Sequence, residues 1–343
     1  MEGRRVETSQ SRTADMTCGC RAASWMEKRP AFKSGDWVAP LLLPRKMQFL
    51  FRVRPVRRLL TRLLGPEGIY EWVIARTRYI DGIFEGALSN GVTQVLIIGA
   101  GFDSRAVRFK TAERSVRVFE LDAAPTQQAK LRQYRARGIA VPANVTFVAI
   151  NFDKETIEER LRAGGFAVGA KTLVIAEGVF QYITPDAAHA TLKAVKNLVG
   201  RGSWLVFDYA HASVLRGEGD AYGQKRMISG TMRFGESWQF GLEKEEVKPL
   251  LSRYALKVKD LKDPPALQRQ YFVDQGGKAL ARINGTQSIV FAEKTGKGVI
   301  AARSVTKAST RSEGRPRRSL KIGAPTRSRR SGPSRGGRNL ATS

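Results

Sequence analysis

The stretch that most constrains the fold is Gln94-Val-Leu-Ile-Ile-Gly99-Ala-Gly101-Phe-Asp103-Ser-Arg105. Four consecutive apolar residues end abruptly at two glycines, which reads as a buried parallel strand running into a tight turn. About 20 residues on, Val116-Arg-Val-Phe-Glu120-Leu-Asp122 reads as a second short strand ending in two carboxylates. A strand, a glycine turn, a helix and a second strand with a terminal acid form the layout of a nucleotide-cofactor site. The glycines admit the ligand to the backbone, and the acids accept hydrogen bonds from ribose hydroxyls.

The turn also discriminates between cofactors. A dinucleotide needs a helix N-terminus free to receive pyrophosphate. Here Asp103 stands in the turn and Ser104 replaces the third glycine of the dinucleotide pattern. S-adenosylmethionine carries no phosphate, and its sulfonium and ammonium groups are cations that acids tolerate or favour. The sequence therefore favours S-adenosylmethionine over a nicotinamide cofactor, with an NAD(P)-dependent oxidoreductase as an alternative.

Further strands are expected at Val145–Ile150, Thr172–Ala176, Ser203–Phe207, Leu256–Leu261 and Gln287–Glu293, with helices between most of them. That alternation predicts an α/β fold: a mostly parallel, seven-stranded sheet with helices on both faces. Ligands in such sheets bind beyond the carboxyl ends of the strands. The chain places Gly99, Gly101, Asp103, Glu120, Asp122, Asn151, Glu177 and Asp208 there. Asn151 offers an acceptor to an adenine amino group, and Phe152 a surface for its ring.

Four ordered motifs carry a family resemblance. They are Ala75-Arg76-Thr-Arg-Tyr-Ile-Asp81, the glycine stretch, Phe119-Glu-Leu-Asp122 and Ala176-Glu177-Gly-Val179. Together, over about residues 35–295, they resemble the leucine carboxyl methyltransferase family, which includes a carboxyl O-methyltransferase of tetracenomycin synthesis. The resemblance implies a class I, Rossmann-like S-adenosylmethionine fold. It also implies that Arg76 holds the cofactor carboxylate, Gly99 approaches its methionine part and Asp122 binds ribose. Asn151 and Phe152 then flank adenine, and Glu177 lies beside the amino-acid end. The family often has Asp at the position of Asn151, which keeps the acceptor but lacks the charge.

Transfer to a carboxylate needs no strong base, because the acceptor is already ionised at neutral pH. It needs alignment, cationic clamps and exclusion of water. The expected reaction is O-methylation of a small-molecule carboxylate or phenol; a protein C-terminal carboxylate is an alternative acceptor. No Ser-His-Asp or Cys-His set is evident, and no catalytic residue is assigned outright. His211 and Tyr182 are candidates, as base and as acceptor-pocket wall, for a phenolic acceptor. Asp263-Pro-Pro-Ala266 resembles the motif of methyltransferases acting on DNA bases, but it does not follow the fourth strand and reads as a proline turn.

Charge and composition set the remaining expectations. Residues 1–35 are polar and read as a disordered extension. Residues 36–90 read as a helical cap over the active-site mouth. Within it, two short amphipathic helices broken by Pro44 and Pro55 carry no acid from Pro40 to Pro66; lying on a membrane surface is their second reading. Residues 91–297 form the methyltransferase domain, with a substrate-side insertion at about 210–240. The chain has a formal net charge of +28. Residues 298–343 are rich in Arg, Ser, Gly and Pro and read as a basic disordered tail. Such a tail suits contact with nucleic acid or anionic membrane, but it lacks the interleaved aromatics of a nucleic-acid reader. Two cysteines and two histidines make no structural metal site, and a cytoplasmic location is expected.

Overall fold

The computed structural model describes residues 11–63, 65–152, 154–234 and 237–296. The basic tail lies outside them. The strands are β1 (Gln94–Ile98), β2 (Arg117–Asp122), β3 (Val145–Ala149), β4 (Thr172–Ala176), β5 (Trp204–His211), β6 (Gly241–Leu242), β7 (Leu256–Lys262) and β8 (Gln287–Lys294). They form one sheet in the order β3-β2-β1-β4-β5-β8-β7, with β6 paired to the end of β5. Only β8 runs antiparallel to its neighbours. The sheet thus has eight strands rather than the expected seven. The extra one is a two-residue ladder, Ala210 and His211 against Gly241 and Leu242, too short to leave a periodicity in the sequence.

Every residue of β1 and β4 is buried. Alternate side chains enter different cores: Leu96, Ile98, Val174 and Ala176 on one face, Val95, Ile97, Leu173 and Ile175 on the other. This double burial is why both strands read as unbroken apolar runs. The helix Ile69–Ser89 covers the second face through Trp72, Val73, Ile80 and Phe84. The helix Pro185–Leu198, capped by Thr184 from the Ala187 N–H at 3.2 Å, covers the first. Strand order reverses between β1 and β4, and this opens the crevice beyond Ile98 and Ala176.

The N-terminal region departs from the expectation of disorder. Residues Arg12–Trp25 form a helix capped by Ser11, and Cys18, Ala22 and Ala23 are buried against Val38, Phe102, Ala129 and Tyr134. The buried face is built from small residues, so close packing takes the place of the large apolar stripe that marks most helices.

The helices Arg45–Arg52 and Arg54–Leu63 form as expected, but Pro44 is an N-cap and Pro55 sits in the first turn, where proline is tolerated. Neither helix lines the central cavity, so they do not cap the active-site mouth; the Arg12–Trp25 helix does. Asp263-Pro-Pro is likewise a helix start rather than a simple turn. The Asp263 carboxylate accepts the Ala266 N–H at 2.9 Å and caps Pro264–Tyr271.

Candidate active site

A cavity of about 920 Å³ opens at the strand-order reversal. Its floor is the β1 turn, where Gly99 and Gly101 have φ of +62° and +48°. A Cβ on Gly99 would stand 2.6 Å from Val179 Cγ2, so side-chain-free backbone is required there on two counts. Asp122, at the end of β2, accepts the Gly101 N–H through Oδ2 and the Ala123 N–H at 2.7 Å through Oδ1. Its carboxylate therefore shapes the glycine turn while still lining the cavity. Burial raises its pKa, against the pull of these two amides.

Arg76 is buried on the long helix. Its Nε donates to Glu177 Oε1 at 3.1 Å, and its Nη1 to Asp208 Oδ2 at 2.7 Å. Asp208 in turn accepts the Gly178 N–H at 2.6 Å, which fixes the turn after β4. Arg76 Nη2 makes no hydrogen bond among the described residues, leaving a guanidinium edge for a ligand carboxylate. Glu177 is clasped from its other side by Arg105 Nη2 at 2.9 Å. Burial alone would raise its pKa, but Arg105 and Arg76 hold it below the usual value, so it stays ionised.

These pairs continue into a chain of charges. Arg105 Nε reaches Asp81 at 2.8 Å, Arg108 Nη1 reaches Asp81 at 2.9 Å, and Arg108 Nε reaches Asp36 at 3.5 Å. Asp36 is bound by Arg21 Nη1 at 3.1 Å, and Arg21 Nη2 donates to the Phe102 carbonyl at 3.0 Å. The N-terminal helix is thereby tied to the glycine turn, and Ala14, Thr17 and Arg21 line the cavity. Asp103 also belongs to this set. Its carboxylate accepts the Arg105 N–H at 2.7 Å and pairs with the Arg105 guanidinium. Burial would raise its pKa, but Arg105, Lys130 and Arg21 bring it down to about 2.

The structure brings together Arg76, Gly99, Gly101, Asp103, Asp122, Phe152, Glu177 and Tyr182 around the cavity. It does not bring in the other candidates. Glu120 points the same way as Asp122 but stops at Lys130 Nζ, 2.5 Å away, with both groups buried. It is an interior ion pair and not a ribose ligand. Asn151 is replaced at the wall by Ile150, Phe152 and Glu155; its backbone N–H donates to Glu155 at 2.8 Å. His211, the last residue of β5, bonds Ser288 Oγ at 2.8 Å and does not line the cavity, so it is no base for an acceptor there. Burial lowers its pKa.

Arg21, Asp36 and Arg108 carried no expectation from the sequence, and Asp81 entered only as the end of the Ala75–Asp81 motif. A Ser11 cap followed by Asp15 in the first turn was the available sign of the helix that carries Arg21.

The residues present fit S-adenosylmethionine. The cavity is lined by six carboxylates (Asp103, Asp122, Glu155, Glu158, Glu159 and Glu177) against four cations (Arg21, Arg76, Arg162 and Lys193). That balance opposes a pyrophosphate and accommodates a cationic ligand. Arg76 would hold its carboxylate, Glu177 its ammonium, Asp122 its ribose and Phe152 its adenine.

Comparison with known proteins agrees. The sequence model of the family described as leucine carboxyl methyltransferase matches residues 18–196. A Bacillus subtilis (strain 168) protein described as an S-adenosyl-L-methionine-dependent methyltransferase is 27% identical over 216 residues, covering 60% of this chain and 71% of that one. A Mycolicibacterium smegmatis protein of the same description is 34% identical over 152 residues, covering 44% of this chain and 49% of that one. The chain thus spans about half of the mycobacterial relative. A solved methyltransferase structure from Thermobifida fusca YX aligns with a TM-score of 0.49 and 18% identity, covering 70% of this chain and 89% of that one. With a matching family model over more than half its length and the cofactor site assembled at the strand-order reversal, the chain belongs to the leucine carboxyl methyltransferase family of S-adenosylmethionine-dependent methyltransferases.

Proposed function

We propose that the protein O-methylates a carboxylate of a small molecule. The observation that carries this reading is the make-up of the cavity wall, which among the described residues holds four cations, six carboxylates and apolar surface but no histidine. Glu177, doubly ion-paired and shifted toward the ionised form, is a poor proton acceptor. An acceptor that is already an anion at neutral pH needs no base. The bound cofactor supplies an electrophilic methyl on a sulfonium, and its transfer leaves a neutral thioether.

The protein's part is positional. Ile69, Trp72, Val73 and Met227 present apolar surface that excludes water, and Arg162 and Lys193, which line the cavity without an ion pair among the described residues, are available to orient the acceptor. The size of the cavity suits a cofactor with a small acceptor rather than a folded protein surface. A phenolic acceptor is the second reading, because Tyr182 lines the cavity.

The test is transfer of labelled methyl from S-adenosylmethionine to panels of aliphatic and aromatic carboxylic acids and of phenols. Carboxyl methyl esters release methanol in mild alkali, whereas aryl methyl ethers survive it. Alkali-labile product supports the reading; product that is entirely alkali-stable overturns it in favour of phenol methylation.

A further inference from the structure

The helices Arg45–Arg52 and Arg54–Leu63 turn much of their apolar surface outward. Phe51 and Arg57 are the only residues of these two helices that are buried. Phe49 is 67% exposed, Leu63 61% and Leu59 55%, with Leu50 and Val53 also exposed. Pro55, Leu59 and Leu63 stand four residues apart, so they form one row along the second helix. Arg54, Arg58 and Arg62 form the adjacent row one residue behind, and all six are exposed. On the first helix Lys46, Phe49 and Leu50 are exposed, and the exposed Val53 follows at its C-cap.

Seven cations lie between Asp36 and Glu67 with no acid among them, and among the described residues none of the seven forms an ion pair. The buried Arg57 is spent on backbone, donating to the Phe51 carbonyl at 2.6 Å and the Met26 carbonyl at 3.1 Å. Phe51 and Arg57 thus pin the pair to the body of the protein and leave the outer rows for a partner.

We propose that this two-helix face docks on the surface of an anionic lipid bilayer. The partner must accept apolar side chains and cations from the same face, one row beside the other. A bilayer does this at the boundary between acyl chains and headgroups, and long arginine side chains reach back to phosphate from an inserted helix. Anionic headgroups match the uninterrupted positive charge. Nucleic acid matches the charge but offers no medium for Leu59, Leu63 and Val53, since it takes flat rings for stacking and the face holds only Phe49. A second copy of the chain would set six exposed cations against six. No helix among the described residues is long and apolar enough to cross a membrane, so the contact is with one leaflet.

The proposal is tested with the full-length protein and sedimented vesicles of phosphatidylcholine alone or with 30% phosphatidylglycerol. Two variants are compared with the wild type: Phe49→Ser with Leu59→Ser and Leu63→Ser, and Arg54→Gln with Arg58→Gln and Arg62→Gln. All six positions are exposed, so the melting temperature should hold, and the basic tail is the same in every protein. Binding of the wild type to the mixed vesicles, at least tenfold stronger than to phosphatidylcholine, with at least a tenfold loss in each variant, is the expected result. Equal binding by the apolar variant and the wild type would overturn the proposal, as would no binding by the wild type. Selective retention of a duplex oligonucleotide, lost in the arginine variant and kept in the apolar one, would reassign the face to nucleic acid.

Discussion

Replacing Asp122 by alanine removes two things at once. The carboxylate that faces the cavity is lost, and so are the acceptors of the Gly101 and Ala123 N–H groups. A hydrogen bond to a charged group is worth about 1.5–3 kcal/mol. Loss of the ribose contact should therefore weaken S-adenosylhomocysteine binding about 10- to 100-fold, at about 1.4 kcal/mol per decade. Loss of the two turn contacts costs a similar amount each, partly offset because burial already disfavours the charged carboxylate. A net destabilisation of about 1–3 kcal/mol follows. Asp122→Asn keeps one acceptor and should lie between the wild type and Asp122→Ala on both measures. Glu120→Gln is the control for binding, since that side chain ends at Lys130 and does not line the cavity. Titration calorimetry and chemical denaturation of the four proteins read the two effects separately. Binding by Asp122→Ala within about threefold of the wild type would refute the ribose assignment, and unchanged stability would refute its role in shaping the turn.

Three further outcomes follow from the same geometry. Gly99→Ala should weaken cofactor binding through its positive φ and its 2.6 Å approach to Val179 Cγ2; adding Val179→Ala should restore the steric part, and a double mutant no better than the single would place the clash elsewhere. Arg21→Met should cost roughly 3 kcal/mol of stability, the lower end for breaking a buried ion pair, because Arg108 remains 3.5 Å from Asp36; thermal denaturation with no loss would show that the N-terminal helix is not held by this pair. Glu120 is raised by burial, against Lys130, to about 7 from 4.5. Its folded-state pKa exceeds its unfolded one, so the stability it contributes is fully present below pH 4.5 and is lost as pH rises through 7. Over that range the wild type should lose stability relative to Glu120→Gln; parallel stability curves for the two proteins would contradict this.

The residues legible in the sequence were those whose pattern has one cause. β1 and β4 announced themselves as apolar runs because both faces are buried, and the polar residues beyond them fell at strand ends because the sheet is parallel. Ambiguity arose where one pattern has two causes. Glu120 and Asp122 share a face by parity, and only the buried position of Lys130, one turn after Thr126 and one before Tyr134, decides which acid is neutralised inside. That helix reads as a solvated basic face because its other cations are indeed outside. The Arg12–Trp25 helix was hidden for a different reason. It packs through Cys18, Ala22 and Ala23, and its polar residues, which suggest disorder, face the cavity and the charge chain. The outward apolar rows of residues 45–63 have the periodicity of a cap, and only their exposure shows that they cover nothing among the described residues.

The most direct test of the site is a crystal structure with S-adenosylhomocysteine. The ligand carboxylate should lie on Arg76 Nη2, its ammonium on Glu177, both ribose hydroxyls within hydrogen-bond distance of Asp122, and adenine against Phe152. Ribose bound away from Asp122, or a ligand seated outside the crevice between Gly99 and Gly178, would contradict it.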